Sequence, residues 1–427
     1  MKSFNKSKIM LQKKNVPLFN LAFRPFFLGA GIFSIISMFL WSMIYLFHVS
    51  PPIFLISDSQ WHAHEMVYGY AIAVIAGFLL TAIKNWTGIP TISGKPLILL
   101  FILWVIPRLL FSFGTSYLFI AGVLDITFSL LLIIFISLPI LKAGQLKRQF
   151  VILSEVVLII VCNISFYLEI LGFLDNGVTL GLYGGIYLII ALILTVGSKI
   201  VPFFIQRGTN HQVKLSKLKG LNALNLLLFL GFFVSNLFIV NPDTSHYFAL
   251  GLFFVNCAKL IDWYTAKIWK NSLLWSLYLA LCFICIGFLL FVGTYFGISK
   301  ILAIHAFSFA IGIITLSMMS RVALGHTGRS VMRPHKAISF ALGVILIGGI
   351  VRVIAPLFNI FNYEVLIALS QILWVISFFT FIVIYFPILS INLGLISVLH
   401  IIDGENTFIS EFLLKSSFVV NFPLFNS

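Results

Sequence analysis

The fold class that this sequence predicts is all-α: a polytopic transmembrane helix bundle of about 12 spanning helices with both termini cytoplasmic. Three observations point there. The composition is too apolar for a water-soluble domain: 61% of residues are hydrophobic, 9% are charged and mean hydropathy is +1.12, whereas about a quarter of a soluble domain is charged. The apolar residues fall into runs of the length that crosses a bilayer. The basic residues collect in alternate loops, as the positive-inside rule requires. A net charge of +15 therefore needs no nucleic acid, because the lysines and arginines lie between apolar runs and form no continuous basic face.

Residues 1–20 read as a basic, polar cytoplasmic segment without a cleavable signal core, since the apolar run that follows is too long for one. Twelve apolar segments succeed it, at approximately 26–48, 62–84, 96–114, 116–141, 149–174, 178–205, 220–240, 246–268, 272–296, 298–322, 337–358 and 363–390. Each is long enough to span with some tilt. An even count places both ends of the chain on one side. Loops on that side carry Lys84, Lys95, Lys142, Lys147, Arg148, Arg207, Lys214, Lys217, Lys219, Lys267, Lys270, Arg321, Arg329, Arg333 and Lys336. Opposite loops carry Asp58, Asp175, Asp243 and Glu364, with Lys300 as their only base. Residues 21–390 thus form the transmembrane domain. The tail, 391–427, has an apolar run too short and interrupted to span and is read as cytoplasmic.

The second segment is the richest in chemistry. Trp61, His62, His64 and Glu65 stand at one mouth and Lys84, Asn85, Trp86 and Thr87 at the other, with Met66 to Ile83 free of charge between them. Those eighteen residues span about 27 Å at 1.5 Å per residue. Imidazoles and a carboxylate at membrane depth mark a site facing protein or a water-filled cavity. An interfacial belt of aromatic anchors and solvated histidines is the alternative, and both stay open here.

The topology sorts the remaining polar residues by depth. His48, His62, His64, His246 and His305 fall in the outer half; His326, Arg321, Arg329, Arg24 and the Gly197-Ser198-Lys199 turn fall toward the cytoplasm. Two separate polar centres are expected, one near each face. His62 and His64 are two apart, about 200° around a helix, and reach one ligand together only at a frayed helix start. A metal or haem site would need a second segment, with His305 as the best candidate, although a hydrogen-bonded packing role is its ordinary reading. Met318 and Met319, and the Cys282-x-x-Cys285 pair, read as apolar core, and Cys162 and Cys257 receive no role.

Among charges inside apolar runs, Lys259 and Asp262 are spaced to pair within one helix, while Asp125 and Glu155 have no partner in theirs. A proton relay and pairing with Arg108 or Arg352 across the bundle are both open to those carboxylates. Pro25 suits a first helical turn beside Arg24. Pro202 is expected to interrupt segment 6 within GSKIVP, and Gly325 and Gly328 to form a turn that exposes His326. Arg24, Arg321 and Arg329 could clamp a propionate or phosphate, with simple positive-inside anchoring as the alternative.

Several blocks resemble the NnrS family of membrane proteins: LAFRPFFLGA, WHAHEMVYGYAIAVIAGFLLTAIKNWTG with the run to Arg108, GSKIVPFF, HAFSFAIGIITLSMMSRVALGHTGR and IYFPIL. The resemblance runs from Leu21 to about Leu389. It implies a twelve-helix protein of the bacterial inner (cytoplasmic) membrane that binds haem and copper and belongs to the cellular response to nitric oxide; it implies no reaction. The motif residues carried over are His62, His64, Glu65, Asn85, Trp86, Arg108, His305, Arg321, Gly325, His326 and Arg329. Two positions depart: Tyr278 stands where members commonly have histidine, and Lys199 where the turn usually carries arginine, replacing a planar guanidinium by a point charge.

The resulting expectation is a haem- and copper-binding protein that protects the cell from nitric oxide, with His62, His64, His305 and His326 as metal ligands and Glu65 orienting an imidazole. Arg24, Arg321 and Arg329 would help to hold the cofactor. A diatomic gas partitions into bilayers, so the site needs no polar pore. The alternative is a proton-coupled transporter of a small solute working through Glu155 or Asp125.

Overall fold

In a computed structural model, residues 17–49, 55–209, 220–239, 243–358 and 360–390 are described, and the apolar runs among them are helices throughout. The first six are α1 (Phe23–Phe47), α2 (Asp58–Thr87), α3 (Lys95–Phe113), α4 (Thr115–Lys142), α5 (Leu146–Ile170) and α6 (Gly177–Gly208). Then follow α7 (Leu221–Phe238), α8 (Asp243–Trp263), α9 (Ser272–Phe296), α10 (Lys300–His326), α11 (Lys336–Phe358) and α12 (Tyr363–Ser390). Eleven are long and apolar enough to cross a membrane. The other is α8, whose length suffices but whose apolar face is interrupted by His246, Asn256, Lys259 and Asp262.

Helices consecutive in the chain pack against one another, and contact between α1 and α12 closes the series. The innermost pair is α2 and α10, with 83% and 78% of their apolar stretches buried, against 22% for α7 at the periphery. Outward-facing side chains such as Phe39, Leu99, Ile134 and Phe379 are apolar and exposed, as a lipid-facing surface requires. Even-numbered helices run opposite to odd-numbered ones, so the bundle has a proximal face, where α1 begins, and a distal face.

Three expectations change. Segment 2 starts earlier, at Asp58, because Ser57 and Gln60 form a reciprocal cap in which Gln60 N–H donates to Ser57 Oγ at 3.3 Å and Ser57 N–H to Gln60 Oε1 at 2.8 Å. The GSKIVP stretch is continuous helix, not a turn; Pro202 lies inside α6 and costs one backbone bond without breaking it. Gly325 is still helical, and the chain turns at Gly328, whose φ is +72°. The 391–427 tail, most of the 1–20 segment, and Lys214, Lys217 and Lys219 lie outside the described residues.

Glycine permits a close approach at Gly185 of α6, where an added Cβ would lie 2.5 Å from Tyr68 Oη of α2. The same stretch of α2 holds a feature the sequence did not signal. Residues Glu65–Ala71 wind as a π-helix, closing Ile72 N–H onto Val67 O. The widened turn presents two carbonyls to α3: Arg108 Nη1 donates to Tyr68 O at 2.8 Å and Trp104 Nε1 to Gly69 O at 2.9 Å.

Candidate functional site

Two groups of polar side chains occupy the distal part of the bundle, and the two histidines of the HAH motif belong one to each. The first group is closed. His64, Glu65, Arg108, Asp125 and Asn163 come from α2, α3, α4 and α5 and none is more than 7% exposed. Arg108 Nε lies 3.1 Å from Glu65 Oε2, and Arg108 Nη2 lies 2.8 Å from Asp125 Oδ1. Asp125 Oδ2 accepts from Asn163 Nδ2 at 3.1 Å and from Tyr167 Oη at 3.1 Å. A carboxylate only accepts, so the Asn163 amide nitrogen faces Asp125 and its oxygen is left for His64 Nε2, 3.1 Å away. His64 Nδ1 is 3.0 Å from Glu65 Oε1, and the ring stacks on Phe166 at 4.3 Å. Both ring nitrogens of His64 are thus engaged, and the guanidinium sits between two carboxylates in a membrane interior where unpaired charge is costly. Of the two roles open to Asp125, the structure selects pairing with Arg108.

The second group is open. His62 stacks on Trp41 of α1, ring centroids 4.5 Å apart and planes 11° from parallel. Its Nδ1 is buried with no hydrogen-bond partner. It lies within electrostatic reach of His305 on α10 and of Arg352 on α11. Arg352 Nη2 approaches His305 Nε2 at 3.2 Å, and a guanidinium only donates, so Nε2 presents its lone pair. The proton is then on Nδ1, which donates to Ile301 O at 2.8 Å. Arg352 is held by Tyr363, donating to its hydroxyl at 2.8 Å. Met66, one turn along α2 from His62, accepts a weak hydrogen bond from Ser37 at 3.8 Å.

The proximal face repeats the imidazole arrangement at the other end of α10. His326 Nδ1 donates to Val322 O at 3.0 Å, and its Nε2 is 3.4 Å from the Asn85 amide nitrogen of α2. His305 and His326 are twenty-one residues apart on one helix, about 31 Å. Each gives its Nδ1 proton to the carbonyl four residues back and leaves Nε2 as a lone pair. That is the tautomer and second-shell bond of an imidazole set to bind a metal. His326 is exposed and lies against Phe23, with ring centroids 5.5 Å apart.

Near it, Arg24 and Arg329 are within electrostatic reach of each other, and Tyr385 is close to Arg329. Arg24 is 7% exposed; its Nη1 makes long bonds of 3.4 Å to Pro17 O and Leu389 O, and its Nε has no partner. Burial lowers the pKa of Arg329, which lies in the turn after α10. Arg321 faces elsewhere: it donates to Leu273 O at 3.1 Å and covers the Phe204 ring at 4.3 Å.

Of the other motif residues, Trp86 offers its carbonyl to Gln145 at 3.1 Å. Lys199 lies along α6 near Glu155, whose Oε1 accepts from Thr195 at 2.6 Å while Oε2 is buried without a partner. Tyr278 donates to Leu260 O at 3.1 Å, binding α9 to α8.

Among the described residues no group of three or more His, Cys, Asp and Glu side chains is placed to hold a metal ion. The distal imidazoles of His62 and His305 could offer a metal two nitrogen donors, borderline ligands of the kind copper takes, once the bond from Arg352 to His305 Nε2 was given up. A half-open apolar pocket of about 80 Å3, lined by Phe27, Val74, Leu192, Val196, Ile314 and Met318, is too small for a macrocycle. The residues that suit haem are at the proximal rim, where exposed His326 supplies a nitrogen and Arg24 and Arg329 supply donors for carboxylates.

A comparison with the curated proteins found no match. Residues 17–391 match the family described as NnrS protein, nearly the whole chain, and the protein therefore belongs to the NnrS family, multi-pass membrane proteins of the nitric oxide response.

Proposed function

We propose that this protein binds haem and copper in the bacterial inner membrane, with both termini cytoplasmic, and acts in resistance to nitric oxide. The observation that carries the reading is α10, which holds one imidazole at each end with its Nδ1 proton on a carbonyl and its Nε2 lone pair toward a donor that a metal would displace, Arg352 at 3.2 Å for His305 and Asn85 at 3.4 Å for His326. On the distal face His62 and His305 are the copper ligands, and Trp41, by stacking, fixes the plane of the first. On the proximal face His326 is the haem ligand, and Arg24 and Arg329 take the propionates. His64 serves differently: locked between Glu65 and Asn163, it anchors the helical turn that carries His62. Haem iron or copper held at these positions would supply a metal centre able to bind a diatomic gas. The protein's own residues orient the imidazoles and hold their Nδ1 protons on Ile301 O and Val322 O.

The transporter reading loses half its support, because Asp125 is committed to Arg108 and Asn163 and only Glu155 remains without a contacting cation. The test is an absorption spectrum of the detergent-purified protein, oxidised and reduced, with iron and copper counted on the same sample. His326→Ala is expected to abolish the Soret band, and His62→Ala with His305→Ala to remove one equivalent of copper. Nitric oxide is expected to shift the Soret band of the unaltered protein. A protein that resists haem reconstitution and takes up no copper, or a double variant with undiminished copper, would overturn the assignment.

A further inference from the structure

Lys259 of α8 is a buried cation that neither the imidazole groups nor the closed cluster around Arg108 explains. It is 5% exposed, and among the described residues its ammonium makes one hydrogen bond, to Ser198 Oγ of α6 at 3.3 Å. That hydroxyl gives its own proton to Leu194 O at 2.7 Å. Lys259 takes Ser198 and not Asp262, three residues on, and no ion pair among the described residues includes it. The helices around it have no counter-charge to give. Helix α8 packs against α7 and α9 and meets α6 at Ser198, and none of the three contains an aspartate or a glutamate. Helix α6 brings two further cations, Lys199 and Arg207. Beside the ammonium lies a cavity of about 10 Å3, lined by Leu194, Gly197, Ser198, Asn256, Lys259 and Trp263. That is room for about one water-sized sphere. Leu281, which lines the same cavity, is nine residues into α9, so the site is about 14 Å deep along that helix. Asn256 spends both amide hydrogens elsewhere, on Asn225 Oδ1 and Leu252 O, each at 2.8 Å. Lys259 and the Trp263 indole are the lining side chains with N–H groups left to give.

We propose that this cavity binds one small monovalent anion of halide size, chloride in the cell, against the Lys259 ammonium. An ammonium held away from water and from any carboxylate is costly in a membrane interior, and a counter-ion offsets that cost. A cation is repelled by the lysine itself. Water fits the space but leaves the charge unopposed, and oxyanions such as sulfate or phosphate are too large for it. The polar residues nearby have a place in this assignment. Asn225 and Asn256 join α7 to α8, and Ser198 holds the lysine side chain toward α6, so the cation is positioned before the anion arrives. Binding forms no covalent bond and moves no electron. The site involves none of the imidazoles and stands independently of the haem and copper reading.

The test is the thermal stability of the detergent-purified full-length protein in sodium chloride or sodium bromide against sodium gluconate. Gluconate is too large for the cavity, and equal ionic strength removes general screening from the comparison. Chloride is expected to raise the apparent melting temperature by roughly 1–2 °C at a tenfold excess over its dissociation constant and to saturate, as mass action requires. Lys259→Met, which keeps the reach of the side chain and drops its charge, should abolish the difference between the salts. Lys199→Met, at an exposed position one residue from Ser198, should retain it. Crystals of the unaltered protein grown in bromide give a reading that needs no variant to fold: an anomalous peak is expected beside Lys259 Nζ. Equal stability in chloride and gluconate, which a deprotonated Lys259 would give, overturns the proposal. So does a chloride effect that survives Lys259→Met, or a bromide map without a peak at Lys259.

Discussion

Replacing Arg108 by methionine tests the closed polar cluster most directly. The guanidinium contacts Glu65 at 3.1 Å and Asp125 at 2.8 Å and donates to Tyr68 O at 2.8 Å. Methionine fills much of its volume but leaves two carboxylates beside each other at about 1% exposure. Removing one partner of a buried ion pair costs about 3–5 kcal/mol. An independent bound agrees: neutralising an aqueous carboxylate at pH 7 costs about 1.4 kcal/mol for each of the roughly three units between pH 7 and its ordinary pKa, or about 4 kcal/mol. For a chain of this size that is a fall of roughly 3–6 °C in apparent melting temperature, extrapolated from smaller domains. Fluorescence-detected size exclusion after a heat step measures it. The double variant Arg108→Met, Asp125→Asn removes one charge of each sign and is expected to recover more than half of the loss, since Glu65 keeps His64. A methionine variant as stable as the parent, or a double variant no better than the single one, would refute the view that charge balance holds this cluster together.

Two other outcomes follow from the geometry. Gly185→Val pushes a side chain into Tyr68 Oη, 2.5 Å from the added Cβ, and displaces the bond of that hydroxyl to Gly181 O; overpacking and an orphaned hydroxyl together should cost about 2–5 kcal/mol, and an unchanged melting temperature would contradict the close approach. Reporter fusions at the ends of the loops that carry Lys142 and Lys336 should be active only with a cytoplasmic reporter, and those after Asp175 only with a periplasmic one; the reverse pattern would invert the topology.

Hydropathy made the twelve segments legible because a bilayer imposes one length and one polarity on every span. It misjudged GSKIVP, because a proline inside a packed helix loses one hydrogen bond without ending the helix, and neighbours decide whether it kinks. The 200° between His62 and His64 already implied that they face different partners, and they do. Which partners was beyond any single-helix argument: Asp125 finds Arg108 from another helix, and His62 meets Trp41 and the neighbourhood of His305. The π-helical turn left no mark in the sequence, since its signature is where side chains point and not which side chains they are.

That turn gives α2 two phases. Each residue of an α-helix advances the side-chain direction by about 100°, and a π-helical turn takes up one residue more than an α turn of the same rise. The distal third of α2, with His62 and His64, is therefore offset in angle from the stretch that runs to Asn85 beside His326. Deleting one residue between Glu65 and Ala71 would let the stretch close as a uniform α-helix with both ends in their present angular relation, whereas winding the same residues as α-helix without a deletion would swing one end against the other by about 100°. In that uniformly wound helix the imidazoles at the distal mouth and the amide at the proximal one could not both keep their partners, so the wide turn sets the angular relation between the two faces of the bundle.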